Sequence, residues 1–185
     1  MKKLILSAAF LPLLVFTSCD ALKDKVAVKF DVPYSSEVAV KGLPGNPTIP
    51  STGMKLTLFS TAEATKSDEY IKQNNTSSEL LQEAKLSELK LEMKAPENQN
   101  FDLVDSIWVY LSATGMSEIK AAYKFDIPKN TKSIEMNLED INVKDYFLKD
   151  SIFLRVEGHF YKSLDTNTIM NISGKLSAVA NPIEN

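Results

Sequence analysis

The chain has 185 residues, 44% of them hydrophobic, 24% charged and 9% aromatic, with a formal charge of −3. That is globular composition, without the charge excess of a disordered chain or the glycine period of collagen. One Cys and one His exclude cysteine-rich zinc sites, iron–sulfur clusters, intrachain disulfides and multi-histidine metal centres, so neither a metal nor a cofactor is expected.

The first segment reads as a targeting signal. Lys2 and Lys3 precede a run over residues 4–16 that is apolar apart from Ser7 and Pro12, and then Thr17, Ser18 and Cys19 follow. A membrane-spanning helix needs about 20 apolar residues, so this run is too short for a permanent span. Phe16-Thr17-Ser18-Cys19 resembles a bacterial lipobox, with Phe16 where Leu is usual. The resemblance implies cleavage after residue 18 and a lipid on Cys19, with residues 19–25 as a tether and 26–185 as one domain. Cleavage removes two lysines and no acid, leaving 19 basic against 24 acidic side chains. An acidic chain argues against nucleic-acid binding, for which a basic face supplies much of the affinity. Attachment to the membrane therefore falls to the lipid.

Beyond the tether, alternation of apolar and polar residues dominates, which is the pattern of strands buried on one face. Val26, Val28, Phe30, Val32 and Tyr34 share one parity, and Met54, Leu56 and Leu58 repeat it. Leu89, Leu91 and Met93 form a third run, and Ile107, Val109 and Leu111 a fourth. Ile119, Ala121, Tyr123, Phe125 and Ile127 form the next inward face, followed by Ile134, Met136 and Leu138. Ile152, Leu154, Val156, Gly158 and Phe160, then Met170, Ile172, Leu176 and Ala178, complete the set. About eight strands without strand–helix alternation predict an all-β antiparallel sandwich, immunoglobulin-like, with one or two short helices. The helices are expected over 67–73 and 77–84, with a capped turn after Asn142. Residues 42–53, rich in Pro and Gly, are a loop, and Gly42-Leu43-Pro44-Gly45 lacks the Lys-Ser/Thr of a phosphate loop. A 45-residue shift lays Asp105-Ser106-Ile107 on Asp150-Ser151-Ile152 and suggests a structural repeat.

Few residues point to chemistry. His159 shares its parity with Phe153, Arg155, Glu157 and Tyr161, opposite the Leu154 and Val156 side. Arg155, Glu157 and His159 thus sit about 6–7 Å apart per step on an outer face, either as an anion or acid–base cluster or as a solvated face with a cross-strand partner for Arg155. Trp108 and Tyr110 lie opposite Ile107 and Val109, where they form either a platform for a sugar or peptide or a surface covered by residues 61–85. A glycosidase needs two carboxyls about 5–9.5 Å apart across a cleft, and no motif singles out such a pair.

The lipobox, the Lys-rich composition and the pattern Leu86-Ser87-Glu88-Leu89-Lys90-Leu91, Asn100-Phe101-Asp102, Asp105-Ser106-Ile107 resemble small Bacteroidetes cell-envelope lipoproteins. The resemblance implies an immunoglobulin-like or late-embryogenesis-abundant-like sandwich at the envelope, by preference at the outer membrane, and carries over no catalytic residue. Asp105-Ser106-Ile107 and Asp150-Ser151-Ile152 also resemble the O-glycan acceptor of exported Bacteroidetes proteins, although Asp-Ser equally suits a turn-to-strand junction. The expected function is non-catalytic binding or scaffolding of a protein or glycan through Trp108, Tyr110, Arg155, Glu157 and His159. A carrier of an apolar ligand between the sheets is the alternative, and a glycan-active hydrolase the third.

Overall fold

The structure, a computed structural model, describes residues 27–40, 48–164 and 167–183. The signal segment, Cys19 and its tether lie outside the described residues, as do Lys41 and residues 42–47 of the Pro/Gly-rich loop. Strands run over Val28–Val40 (β1), Met54–Ala64 (β2), Leu81–Ala95 (β3), Val104–Ala113 (β4), Ile119–Lys124 (β5), Ser133–Glu135 (β6), Asn137–Leu138 (β7), Ser151–Phe160 (β8) and Thr168–Ala180 (β9). Helices are short: Ser67–Gln73 (α1), Lys144–Phe147 (α2) and single 3-10 turns at Ser78–Leu80 and Phe101–Leu103.

The strands form two antiparallel sheets facing each other, ordered β1-β9-β3-β6 and β2-β8-β4-β5-β7, so the chain is an all-β sandwich as its alternation predicts. The connectivity differs from the immunoglobulin order, in which the first two strands lie side by side. Here β1 and β2 lie in opposite sheets, and only Met136 separates β6 in one sheet from β7 in the other. Counting β6 and β7 as one strand that changes sheets gives 1-9-3-6 against 2-8-4-5, which is the double Greek key of a jelly roll. Alternation shows which residues point inward, but strand neighbours are chosen by distant pairings such as Val28↔Ala180.

Most local expectations hold, and each exception has a physical cause. The first helix occupies 67–73 as read. The second is reduced to the turn Ser78–Leu80, because Leu81 and Ala84 are wholly buried and the backbone pairs with β9 from Leu81↔Ala180 onward. Bulges between Leu81/Glu83, Leu86/Glu88 and Met93/Ala95 reset the parity of β3 and hide its full length from a period-2 reading. A bulge between Val109 and Tyr110 acts similarly on β5, burying both Ala121 and Ala122. Phe125, expected inside, lies past the end of that strand and is 46% exposed. The N-cap of α2 is Val143 rather than Asn142; Asn142 stands one residue earlier, where its Oδ1 accepts from the Lys144 N–H at 3.0 Å and from the Ala84 N–H at 3.1 Å, tying the turn to β3. The 45-residue match is not a duplication, since β5 stays in the sheet of β4 while β9 crosses to the other. Asp150-Ser151 sits where the turn after α2 passes into β8, whereas Asp105-Ser106 lies within β4 at the bulge between Val104 and Ser106.

Phe101, Phe160, Leu91, Ile107, Met170, Ile172 and Val156 are almost completely buried between the sheets, each contributing about 1.5–3 kcal/mol by leaving water. The Phe160 ring fills the space over Gly158, where a Cβ would come within 2.7 Å of it. Gly174 permits close approach of β9 to β3, since a Cβ there would meet the Glu88 carbonyl oxygen at 2.5 Å. Packing is looser near α1 and α2, where the sheets enclose a cavity of about 270 Å³.

Candidate functional site

All five residues singled out for binding lie on the outer face of the β2-β8-β4-β5 sheet, on two adjacent strands. Tyr110 stands opposite Arg155 and Trp108 opposite Glu157, each half-buried. Their cover does not come from residues 61–85. Instead the Lys55 ammonium from β2 sits 4.5 Å from the Trp108 ring centroid, and the Phe125 ring packs edge-on to Trp108 at 5.9 Å. The Arg155 guanidinium lies 4.3 Å from the Tyr110 centroid, and the Lys55 Nζ also donates to the Tyr110 hydroxyl at 3.1 Å. Cations therefore already occupy the π-faces that a sugar ring would use.

The charges on this face are equally committed. Arg155 donates to Glu118 (Nε to Oε2, 2.8 Å) and to Glu157, and Lys55 pairs with Glu157 at 2.6 Å. Hydrogen bonding from Arg155 holds the Glu118 carboxyl below its ordinary range. For Glu157, burial pushes the other way but is outweighed by Lys55 and Arg155, so its carboxyl is also held low. His159 stands apart from this group. Its Nδ1 lies 3.1 Å from Asp105 Oδ1, while the Tyr161 hydroxyl donates to Asp105 Oδ2 at 2.7 Å. Partial burial of Asp105 is overcome by these bonds and one from Ser106, leaving its carboxyl below the usual value. The His159 ring covers Gly53, whose φ of +76° and lack of Cβ admit it: a Cβ would lie 2.6 Å from Cε1. The Asp105–His159–Tyr161 group thus clamps the turn before β2. Among the described residues, no three His, Cys, Asp or Glu side chains gather as metal ligands would.

Lys55 and Glu118 are not visible as members of this face because they come from β2 and from the loop before β5, and Asp105 because the bulge between Val104 and Ser106 breaks the parity of β4. Tyr161 could have been found from its shared parity with His159.

The cavity between the sheets has the opposite character. Val32, Leu86, Leu89, Val109, Leu111, Ala121, Phe147 and Leu154 line it, contributed by both sheets and by α2. Its exposed lining residues, Pro33 and Ser35 on β1, Ala64 at the end of β2 and Lys66 just after it, place its opening between these two edge strands. Tyr34 projects inward from β1 beside this mouth. Its hydroxyl is buried and has no hydrogen-bond partner among the described residues. Burial pushes the phenol well above its ordinary range, and the nearby Glu63 carboxylate adds to that. The same Glu63 carboxylate accepts from the Ser36 hydroxyl at 2.8 Å and from the Thr61 hydroxyl at 3.0 Å.

No protein-family model and no curated protein matches the sequence. Solved structures that are similar include the infectious bursal disease virus VP2 subviral particle (15% identity, TM-score 0.36, covering 82% of this chain). This chain spans 33% of that one. Turnip yellow mosaic virus is also similar (13% identity, TM-score 0.29, covering 100% of this chain and 93% of the other), as is the semi-empty particle of Macrobrachium rosenbergii nodavirus (9% identity, TM-score 0.31, covering 99% and 97%).

Proposed function

We propose that this chain is a lipid-anchored envelope protein, held through Cys19 at the outer membrane, that binds a small apolar molecule between its sheets and catalyses no reaction. The cavity carries this reading. An apolar cavity of about 150 Å³ is enough to hold benzene, and this one is about 270 Å³, lined from both sheets and open at one edge. The anchor rests on the lipobox pattern ending at Cys19.

Benzene is the direct probe, because a ligand that binds only the folded state raises Tm with concentration. The wild-type protein gains Tm on titration with benzene, whereas Ala121→Leu, which places four-carbon bulk at the cavity wall, gains little. No rise in the wild type would overturn the reading. The anchor is tested separately by labelled palmitate, incorporated by the wild type and lost in Cys19→Ser; label retained in that variant would refute it.

A second reading keeps the outer face as a docking surface. Phe125, exposed and packed against Trp108 and Tyr123, favours a protein partner there over a sugar. Retention on a glycan array that disappears in Trp108→Ala would reverse that preference.

A further inference from the structure

The cavity is longer than it is wide, and its long axis runs across the strands. We infer that the ligand is a single unbranched hydrocarbon chain of about ten to twelve carbons, lying across both sheets with its polar end at the mouth. This chain shape deepens the reading of the cavity as a ligand site and stands only with it.

From the mouth between β1 and β2, the lining passes inward over successive strands. In one sheet it continues over Leu154 on β8 and Leu111 on β4 to Ala121 on β5; in the other it runs from Val32 on β1 over Leu176 on β9 to Leu86 on β3. Three strand spacings of about 4.8 Å separate β2 from β5, so the lined path is about 14 Å long. Its width is smaller. None of these strands lends more than two inward positions to the wall, a stretch of about 7 Å from which the side chains themselves take a share.

Length and volume, taken independently, call for the same molecule. An extended chain of single bonds advances about 1.2 Å per bond, as the protein backbone does over its three bonds per residue, so the path accommodates about twelve atoms. Benzene is held by a cavity of about 150 Å³, or about 25 Å³ per carbon, and at that density about 270 Å³ holds about eleven carbons. A compact ring system of the same carbon count would match the volume and miss the shape. It would overfill the width and leave the inner end empty, and both errors cost affinity. The polar end stays at the mouth, where water and the Glu63 and Lys66 side chains solvate it, whereas Leu154, Leu111 and Ala121 farther in offer it no hydrogen bond.

Straight-chain alcohols from n-hexanol to n-tetradecanol measure the length, and adamantanemethanol, a compact cage with about the carbon count of n-decanol, tests the shape. Isothermal titration of the wild type should show affinity rising about fourfold per added methylene up to n-decanol and levelling off by n-dodecanol. Adamantanemethanol should bind at least about tenfold more weakly than n-decanol. Ala121→Val adds bulk at the inner end and moves the plateau about two carbons shorter, while Ala64→Val, at the exposed mouth, leaves it in place. The unliganded Tm of each variant reports its folding, and the wild-type series decides the length and shape without them. Absence of alcohol binding, a cage that binds as tightly as n-decanol, a rise that continues through n-tetradecanol, or equal plateaus in the two variants would overturn the chain assignment. Each of these leaves the benzene response, and with it the cavity reading, standing. Loss of the alcohol series and of the benzene response together would remove both.

Discussion

The two sides of the β2-β8-β4-β5 sheet differ in what they leave unfinished. On the outside, Lys55, Arg155, Glu118 and Glu157 form one set of ion pairs and cation–π contacts, and Asp105 with His159 and Tyr161 forms a second, separate hydrogen-bonded group. On the inside, the apolar surfaces of two sheets fail to meet near α1 and α2, and one hydroxyl at the rim has no partner. A residue-type census favours the outside, where the aromatic and charged side chains are. The geometry favours the inside, because a saturated surface must break its own contacts before it can make new ones, whereas an unfilled cavity has nothing to give up.

The contrast can be broken by measuring what each region contributes to folding. The largest effect is expected where packing is complete: Phe160→Ala should cost about 3–5 kcal/mol in chemical denaturation, from lost transfer energy plus the void left behind. Gly174→Ala comes next, at about 1–3 kcal/mol, since its Cβ must displace the Glu88 carbonyl and with it the β3–β9 register. Tyr34→Phe sharpens the comparison by its sign. It should leave the unliganded protein as stable or more stable by about 1 kcal/mol, because it removes a buried oxygen that makes no bond. On the outer face, Arg155→Ala should cost only about 1 kcal/mol and less at high salt, as partly exposed ion pairs do. A loss there larger than that of Phe160→Ala would invert the argument.

The mildest effect is the response to acid. Asp105, Glu118 and Glu157 have carboxyls held below their unfolded values. In that range the unfolded chain binds more protons than the folded one, so stability rises with pH. Their contribution is complete above about pH 5 and is lost as pH falls below about 4, through the lowered folded values. Glu157→Gln should therefore flatten the acid limb of a Tm-against-pH curve; an unchanged limb would show that this face contributes nothing measurable.

Much of this architecture can be read from alternation alone. Val156, Leu154, Ile107 and Val109 face inward as their parity requires, and Arg155, Glu157, His159, Trp108 and Tyr110 share the outer face. What alternation cannot carry is partner choice. The jelly-roll order depends on pairings more than a hundred residues apart, and the bulges in β3 and β5 break the very period being read. The cavity is invisible for a related reason: it is a property of how far two sheets stand apart at one end, not of any residue in them. Tyr34 is legible as an inward residue, but only the folded neighbourhood places its hydroxyl out of water and beside Glu63.

The pairing of β1 with β9 also sets a clock. Every residue of the first strand, from Val28↔Ala180 to Val40↔Thr168, finds its partner in the last strand, and β9 in turn is the bridge between β1 and β3. During synthesis the opening strand must wait, unpaired, until nearly the whole chain has emerged. Such long-range closure places folding on the order of milliseconds to seconds rather than microseconds. A ribosome stalled before Thr168 would hold a chain in which one entire sheet has no centre.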